Sequence, residues 1–206
     1  MKGPAPSREK WDKWFTTLGG EIYTLRMYRT FWRDFIKAAE DAHITPAHII
    51  DFFAATYSNR QAVAIRRLCG SGNREYSFHH LLSEIRDNPQ LCKNPIDRKE
   101  VAADLKSLQA GDLKRVHVFV NQYVAHRQRE PTAQVPSFKV IHDAIDELGL
   151  LLQKYVHVVN DVHQMLDPVL PGDVMRPFRV AWLPPLPTHR RLGLMAEGVK
   201  LDETGG

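Results

Sequence analysis

Trp11, Trp14/Phe15, Leu18, Ile22, Leu25, Tyr28, Trp32, Phe35 and Ala39 recur at steps of three and four along the N-terminal part of the chain. Only an α-helix brings such a series onto one face. Ser7, ahead of Arg8-Glu9-Lys10, supplies an N-cap. Gly19-Gly20 interrupts the stripe without shifting its phase, so the pattern predicts one helix from about Ser7 to Ala42, with a kink allowed at the glycines. A helix this long with a single apolar face must bury that face against other helices or a sheet. No segment of the chain alternates convincingly with the period of two that a strand requires, and no internal repeat is visible.

A second long stripe, Ile141, Ala144/Ile145, Leu148, Leu151/Leu152, Tyr155, Val158/Val159 and Val162, predicts a helix from near Ser137 to about Leu166. At ~1.5 Å per residue it spans roughly 40 Å, similar to the first. Between the two, Thr45-Pro46 restarts the chain as cap and first helical residue, and Ile50, Phe53, Tyr57, Ala64 and Leu68 mark a helix that ends near Gly70-Ser71-Gly72. Ser77 caps a short helix closed by Asn88-Pro89, and Asp97 opens another through Leu108. Asp112, after the break at Gly111, caps a helix that must stop before Pro131. The architecture this implies is all-α, an antiparallel up-down bundle of four to six helices over residues 7–166. Trp11, Trp14, Trp32, Leu148, Leu152 and Tyr155 are its expected core. From 167 to 206, Pro168, Pro171, Pro177, Pro184, Pro185 and Pro187 preclude a helix. Phe178-Arg179-Val180-Ala181-Trp182-Leu183 reads there as part of an extended strap, with a loose tail beyond His189.

Composition removes several function classes. Apolar runs such as Leu148-Gly149-Leu150-Leu151-Leu152 are too short to span a bilayer, so no membrane partner is expected. The N-terminal Met1-Lys2-Gly3-Pro4-Ala5-Pro6 leads into charge rather than an apolar stretch, unlike a signal peptide. Cys69 and Cys92 form neither a Cys-x-x-Cys nor a Cys/His pattern and read as unpaired thiols of a cytoplasmic protein. The net charge of +4 is spread along the chain, which permits an acidic partner such as RNA without requiring one.

Several constellations have plain structural accounts. Glu40-Asp41-Ala42-His43 has the Glu-x-x-His spacing of di-iron bundles, but such a site needs two of these motifs and further carboxylates. His43 closing a helix fits better. His142/Asp146 and His157/Asp161 read as surface i,i+4 pairs, and His79-His80 as surface or interface. Arg26, Arg29 and Arg33 among aromatic residues read as snorkelling stems beside a core. No metal or cofactor is called for. Arg60, Arg66, Arg67 and Arg74 form the densest basic stretch, a solvated face or a phosphate-contacting one.

One helix carries candidate chemistry. With Arg115 at zero on a wheel of 100° per residue, Gln122, His126 and Arg129 fall within about 40° of it, while Leu113, Val116, Val120, Tyr123 and Val124 form the core face. An imidazole beside guanidiniums suits phosphodiester cleavage. The His exchanges a proton near neutral pH and an Arg stabilises charge at phosphorus. RNA cleavage needs no metal, because the 2′-hydroxyl is an internal nucleophile. Basic residues in a last helical turn also complement the helix dipole, which is the structural alternative.

The stretch Val120-Asn121-Gln122-Tyr123-Val124-Ala125-His126-Arg127 resembles the signature of the HEPN superfamily, an Arg followed by Asn or another polar residue and then a His four to six residues beyond the Arg. Ala62 to Leu68 and Ser77 to Ile85 are similar to the second and third helices of its abortive-infection branch, and the similar region spans roughly Phe31 to Leu166. The resemblance implies a bundle of four to five helices, usually dimeric, with the His helices meeting at the dimer seam. It implies a phage-defence or toxin-antitoxin setting with RNA and an antitoxin or other protein as partners. His126 and Asn121 match the motif and would be the catalytic pair. Val120 stands where the Arg belongs and faces the core. Arg115, Gln122, Arg127, Arg129, Arg66 and Arg67 are the candidates for RNA contact in its stead. Two readings stay open: a metal-independent endoribonuclease, or a non-enzymatic helical interaction or RNA-binding module on a degenerate HEPN scaffold.

Overall fold

A computed structural model describes residues 7–41, 47–72, 76–125 and 134–168. Among them are six α-helices and no strand: α1 (Arg8–Asp41), α2 (Ala47–Cys69), α3 (Phe78–Asp87), α4 (Arg98–Ser107), α5 (Gly111–Phe119) and α6 (Phe138–Asn160). A 3₁₀ turn (Pro89–Leu91) follows α3, and a π-helical turn (Val120–Ala125) extends α5. The all-α bundle expected from periodicity is present. Thr45, Pro46, His43 and the Pro-rich strap fall outside the described residues. The chain divides into compact units of Met1–Leu170 and Pro171–Gly206, and all the described residues belong to the first.

The caps explain most helix starts. Ser7 Oγ accepts from Lys10 N–H at 3.2 Å, Ser77 Oγ from His80 N–H at 3.4 Å, Asp97 Oδ1 from Lys99 N–H at 2.9 Å and Ser137 Oγ from Val140 N–H at 3.3 Å. Each satisfies a first-turn donor that has no partner within the helix. Asp112 does not cap α5. The helix begins one residue earlier with Gly111 at φ +52°, a left-handed conformation that glycine adopts without steric cost, so Asp112 lies in the first turn. There its carboxylate binds Arg115 at 3.1 Å.

Cross-helix contacts fix the directions. Trp32 stacks on Tyr57 with ring centroids 5.1 Å apart, and Arg67 pairs with Glu21, so α1 and α2 run antiparallel. Arg29 binds Asp146 while Asn160 reaches Asp12, so α1 and α6 are antiparallel too. α4 is tied to α6 through Asp104, which accepts from Tyr155 Oη at 2.7 Å and from Lys154 Nζ at 2.6 Å. Trp11, Leu18, Ile22, Leu148, Leu152 and Tyr155 are fully buried at the centre.

Three core or helix expectations need correction. Trp14 is only half-buried, lying on the flank of the α1 stripe between Tyr76, His80 and the Lys10 ammonium. Phe53 is 47% exposed and Phe52 67%. Among the described side chains of α2, the buried ones lie in its C-terminal half, at Gln61, Ala62, Ile65, Leu68 and Cys69. Helix α6 stops at Asn160, well short of Leu166, because Asp161 turns left-handed at φ 57°. A neighbouring loop takes over its last carbonyls. Lys93 and Asn94 N–H groups donate to Val159 and Val158 oxygens at 3.3 and 3.0 Å, and Asn94 Nδ2 donates to His157 oxygen at 3.0 Å. Leu166 still reaches the core from outside the helix.

His142 and Asp146 are not a surface pair. His142 is half-buried and its Nε2 lies 2.9 Å from Tyr57 Oη, while Asp146 holds Arg29 through two bonds of 2.8 and 3.0 Å. Arg26, 8% exposed, adds bonds to Asp146 and Asp167. Gly149 makes room for it, since a Cβ there would come within 2.4 Å of Arg26 Nη2.

Candidate functional site

Helix α5 presents Leu113, Val116 and Phe119 to the core, and Val120 follows them with 1% of its surface exposed. The residue at the motif's first position is therefore sealed inside the bundle. A cation at that place would lose its hydration. From Val120 to Ala125 the backbone bonds in the wider i→i+5 pattern. Successive side chains then turn less than 100° apart, so the straight polar ridge drawn from Arg115 through Gln122 does not continue at α-helical phase. Such π turns recur at functional sites.

His126, Arg127 and Arg129 lie outside the described residues. Two clefts are lined by residues of α5 or its π turn together with residues 134–138 or 140. One, of about 620 Å³, is lined by Ala54, Ala55, Ser58 and Asn59 of α2, by Phe119, Tyr123 and Val124, and by Val135 to Phe138. Its volume is in the range of small-ligand sites. Phe119 and Tyr123 pack within it at 5.3 Å between ring centroids. The other, of about 530 Å³, is lined by Lys114, Arg115, Val118, Val140 and Gln134 to Ser137.

The candidate cations are not equivalent. Arg115 is 71% exposed in its side chain and held by Asp112 at 3.1 Å. Arg67 pairs with Glu21 at 2.6 Å. Arg60 lies over the Tyr28 ring at 4.7 Å and donates to its hydroxyl at 3.2 Å. Arg74 lies outside the described residues. Arg66 is half-buried, and its Nε is buried without a hydrogen-bond partner. Its positive charge reaches His117 on α5, whose pKa is lowered first by burial and then by that guanidinium.

His117 is the residue that the sequence reading missed. Its Nδ1 is buried without a partner, and so is Oδ1 of Asn121, four residues further on. On the 100° wheel both sit at the edge of the apolar face, away from the ridge. The signal that would have found them is this i,i+4 polar pair flanking a core stripe, opposite an Arg-rich helix. Gln122 is half-buried. Cys69 is buried with its thiol pushed up to about 12, and the Cys92 thiol is raised by partial burial. The described residues contain no group of three or more His, Cys, Asp or Glu able to hold a metal, and no helix long and apolar enough to cross a membrane.

The family model HEPN_AbiU2 (AbiU2) matches residues 8–176, and the chain belongs to this abortive-infection-type HEPN family. No curated protein and no solved structure matches the chain significantly.

Proposed function

We propose that this HEPN domain acts on RNA as a metal-independent endoribonuclease of a phage-defence or toxin-antitoxin system. Membership of the abortive-infection family, together with a His at the motif's last position, is the observation that carries the reading. The bundle over 7–166 bears the site, and residues 167–206 are a Pro-rich extended C-terminal segment and tail. In the reaction the 2′-oxygen attacks phosphorus as the P–O5′ bond breaks. One proton leaves the 2′-hydroxyl and one arrives at the departing 5′-oxygen. His126 serves one of these transfers as general acid or base, and Asn121 orients the imidazole or the phosphate. In a homodimer the partner's His126 would serve the other. Arg115, Gln122, Arg127, Arg129, Arg66 and Arg67 contact the RNA, and the aromatic cleft at Phe119 and Tyr123 offers a face for an unstacked base. The exposed Phe52 and Phe53 supply apolar surface for a second copy or an antitoxin. The cytoplasm is the setting where such a protein meets RNA.

The burial of Val120 favours a second reading, a degenerate HEPN scaffold that binds RNA or a protein without cutting. Incubation of the full chain with RNA in EDTA separates the two. The enzyme leaves a 2′,3′-cyclic phosphate, whereas intact RNA over a broad substrate panel leaves the binding module. Val120→Arg sharpens the outcome. In a degenerate site it restores cutting to a silent protein. Where another Arg already serves the phosphate, it adds little and destabilises the core.

A further inference from the structure

The seam between α2 and α5 holds three polar side chains with no partner for a buried atom: Arg66 Nε, His117 Nδ1 and Asn121 Oδ1. We propose that Arg66, His117 and Asn121 form a ribose-phosphate subsite that grips an RNA strand beside the phosphate handled at His126. The inference rests on the RNA reading above and deepens it, by saying which cation does the work that Val120 cannot.

Elimination picks out Arg66. Among the described arginines of α2, Arg60 is committed to Tyr28 and Arg67 to Glu21, whereas Arg66 makes no hydrogen bond or ion pair with any described residue. A half-buried guanidinium without a carboxylate is costly to the folded state unless an anion arrives. The neighbouring His117 has its pKa lowered first by burial and then by the Arg66 guanidinium, which puts the two within electrostatic reach of each other.

The other two atoms choose between anions. Asn121 Oδ1 is an acceptor and needs a donor, while His117 Nδ1 donates or accepts according to its tautomer. A carboxylate of an acidic peptide brings acceptors only. A ribonucleotide brings phosphate oxygens for Arg66 and, on the same unit, a 2′-hydroxyl that donates. The subsite therefore prefers RNA to DNA as well as anion to neutral. Asn121 precedes His126 by 126 − 121 = 5 residues, so the covalent chain keeps the two within about 18 Å, the reach of one short strand.

The test uses the full chain carrying His126→Ala, so that RNA stays intact, and measures anisotropy with labelled oligouridylate and its deoxy counterpart at several salt concentrations. Arg66→Gln should weaken RNA binding about tenfold and lower the slope of log affinity against log salt by about one. Arg66→Lys should retain most of the affinity, which separates charge loss from misfolding. Asn121→Ala should bring RNA and DNA affinities together. Arg86→Gln, an equal charge change on α3 beside Asp87, should leave binding within about twofold of the parent. RNA binding that persists unchanged in Arg66→Gln and Asn121→Ala overturns the subsite while the RNA reading stands. An acidic peptide competing as well as RNA also overturns it. If the parent binds no RNA, that reading fails, and inorganic phosphate titrated against the Arg66 Nε–H resonance decides the anion site: a saturable shift supports it and no shift ends it.

Discussion

The α1–α6 seam and the α2–α5 seam both bury arginines, and they treat them oppositely. At the first, Arg26 and Arg29 converge on Asp146, Asp167 takes a further bond, and Gly149 gives up its side chain to admit the guanidinium. At the second, Arg66, His117 and Asn121 each keep a buried atom without a partner. Cations in the first seam hold helices together. A cation left unpaired in the second costs the fold something, and a ligand is the physical reason to tolerate it.

The contrast can be broken at several levels. The largest effect belongs to the open side. If the domain cuts RNA, His126→Ala should reduce the cleavage rate by ~10²–10⁴-fold with unchanged melting, read by single-turnover kinetics in EDTA. An equal loss of folded protein would move His126 to the scaffold.

On the closed side, Asp146→Ala leaves Arg29 and the nearly buried Arg26 short of their shared carboxylate. Because Asp146 is itself half-exposed, about 2 kcal/mol of stability should be lost rather than the larger figure of a fully buried pair. Chemical denaturation measures it, and RNA affinity per folded molecule should not change. Asn94→Ala removes the side-chain bond to the His157 carbonyl at the end of α6 and should cost about 1 kcal/mol.

Acidification gives a gentler test that has a definite sign. His79, His117 and His142 all have pKa values lowered chiefly by burial. The unfolded chain takes up these protons before the folded one does. Their contribution to stability is therefore fully present above about pH 6.5 and is lost as pH falls through the lowered values. Melting temperature should decline over that range. Arg66→Gln should soften the part due to His117, because it removes the second cause of that depression.

Much of the scaffold was legible because its signals are local. Ser7, Ser77, Asp97 and Ser137 announce four helices by cap chemistry, and the α1 stripe carries its own period. What escaped depends on partners distant in sequence or on a change of winding. The last turn of α6 looks helical as far as Leu166, but Lys93 and Asn94 claim its carbonyls. His142 and Asp146 look like each other's partners until Tyr57 and Arg29 arrive from other helices. Phe53 fits the stripe, yet it stays 47% exposed and meets Phe35 edge-on at 5.4 Å. At the candidate site, the motif and the inward direction of Val120 could be read from the wheel. His117 shows only as half of an i,i+4 polar pair with Asn121 on the edge of the core face, a weak signal until the charge of Arg66 on another helix reaches it. The wheel also assumes α-helical phase, which the π turn at Val120 abandons.

The most direct test of the division between seams is an amide and side-chain footprint on the full chain with bound RNA. Chemical-shift changes in the His126→Ala protein, titrated with oligouridylate, report both seams in one experiment. The account predicts shifts and protection at Arg66, His117 and Asn121, with Arg26, Arg29 and Asp146 unmoved. Shifts centred on Arg26, Arg29 and Asp146, with a silent α2–α5 seam, would contradict it.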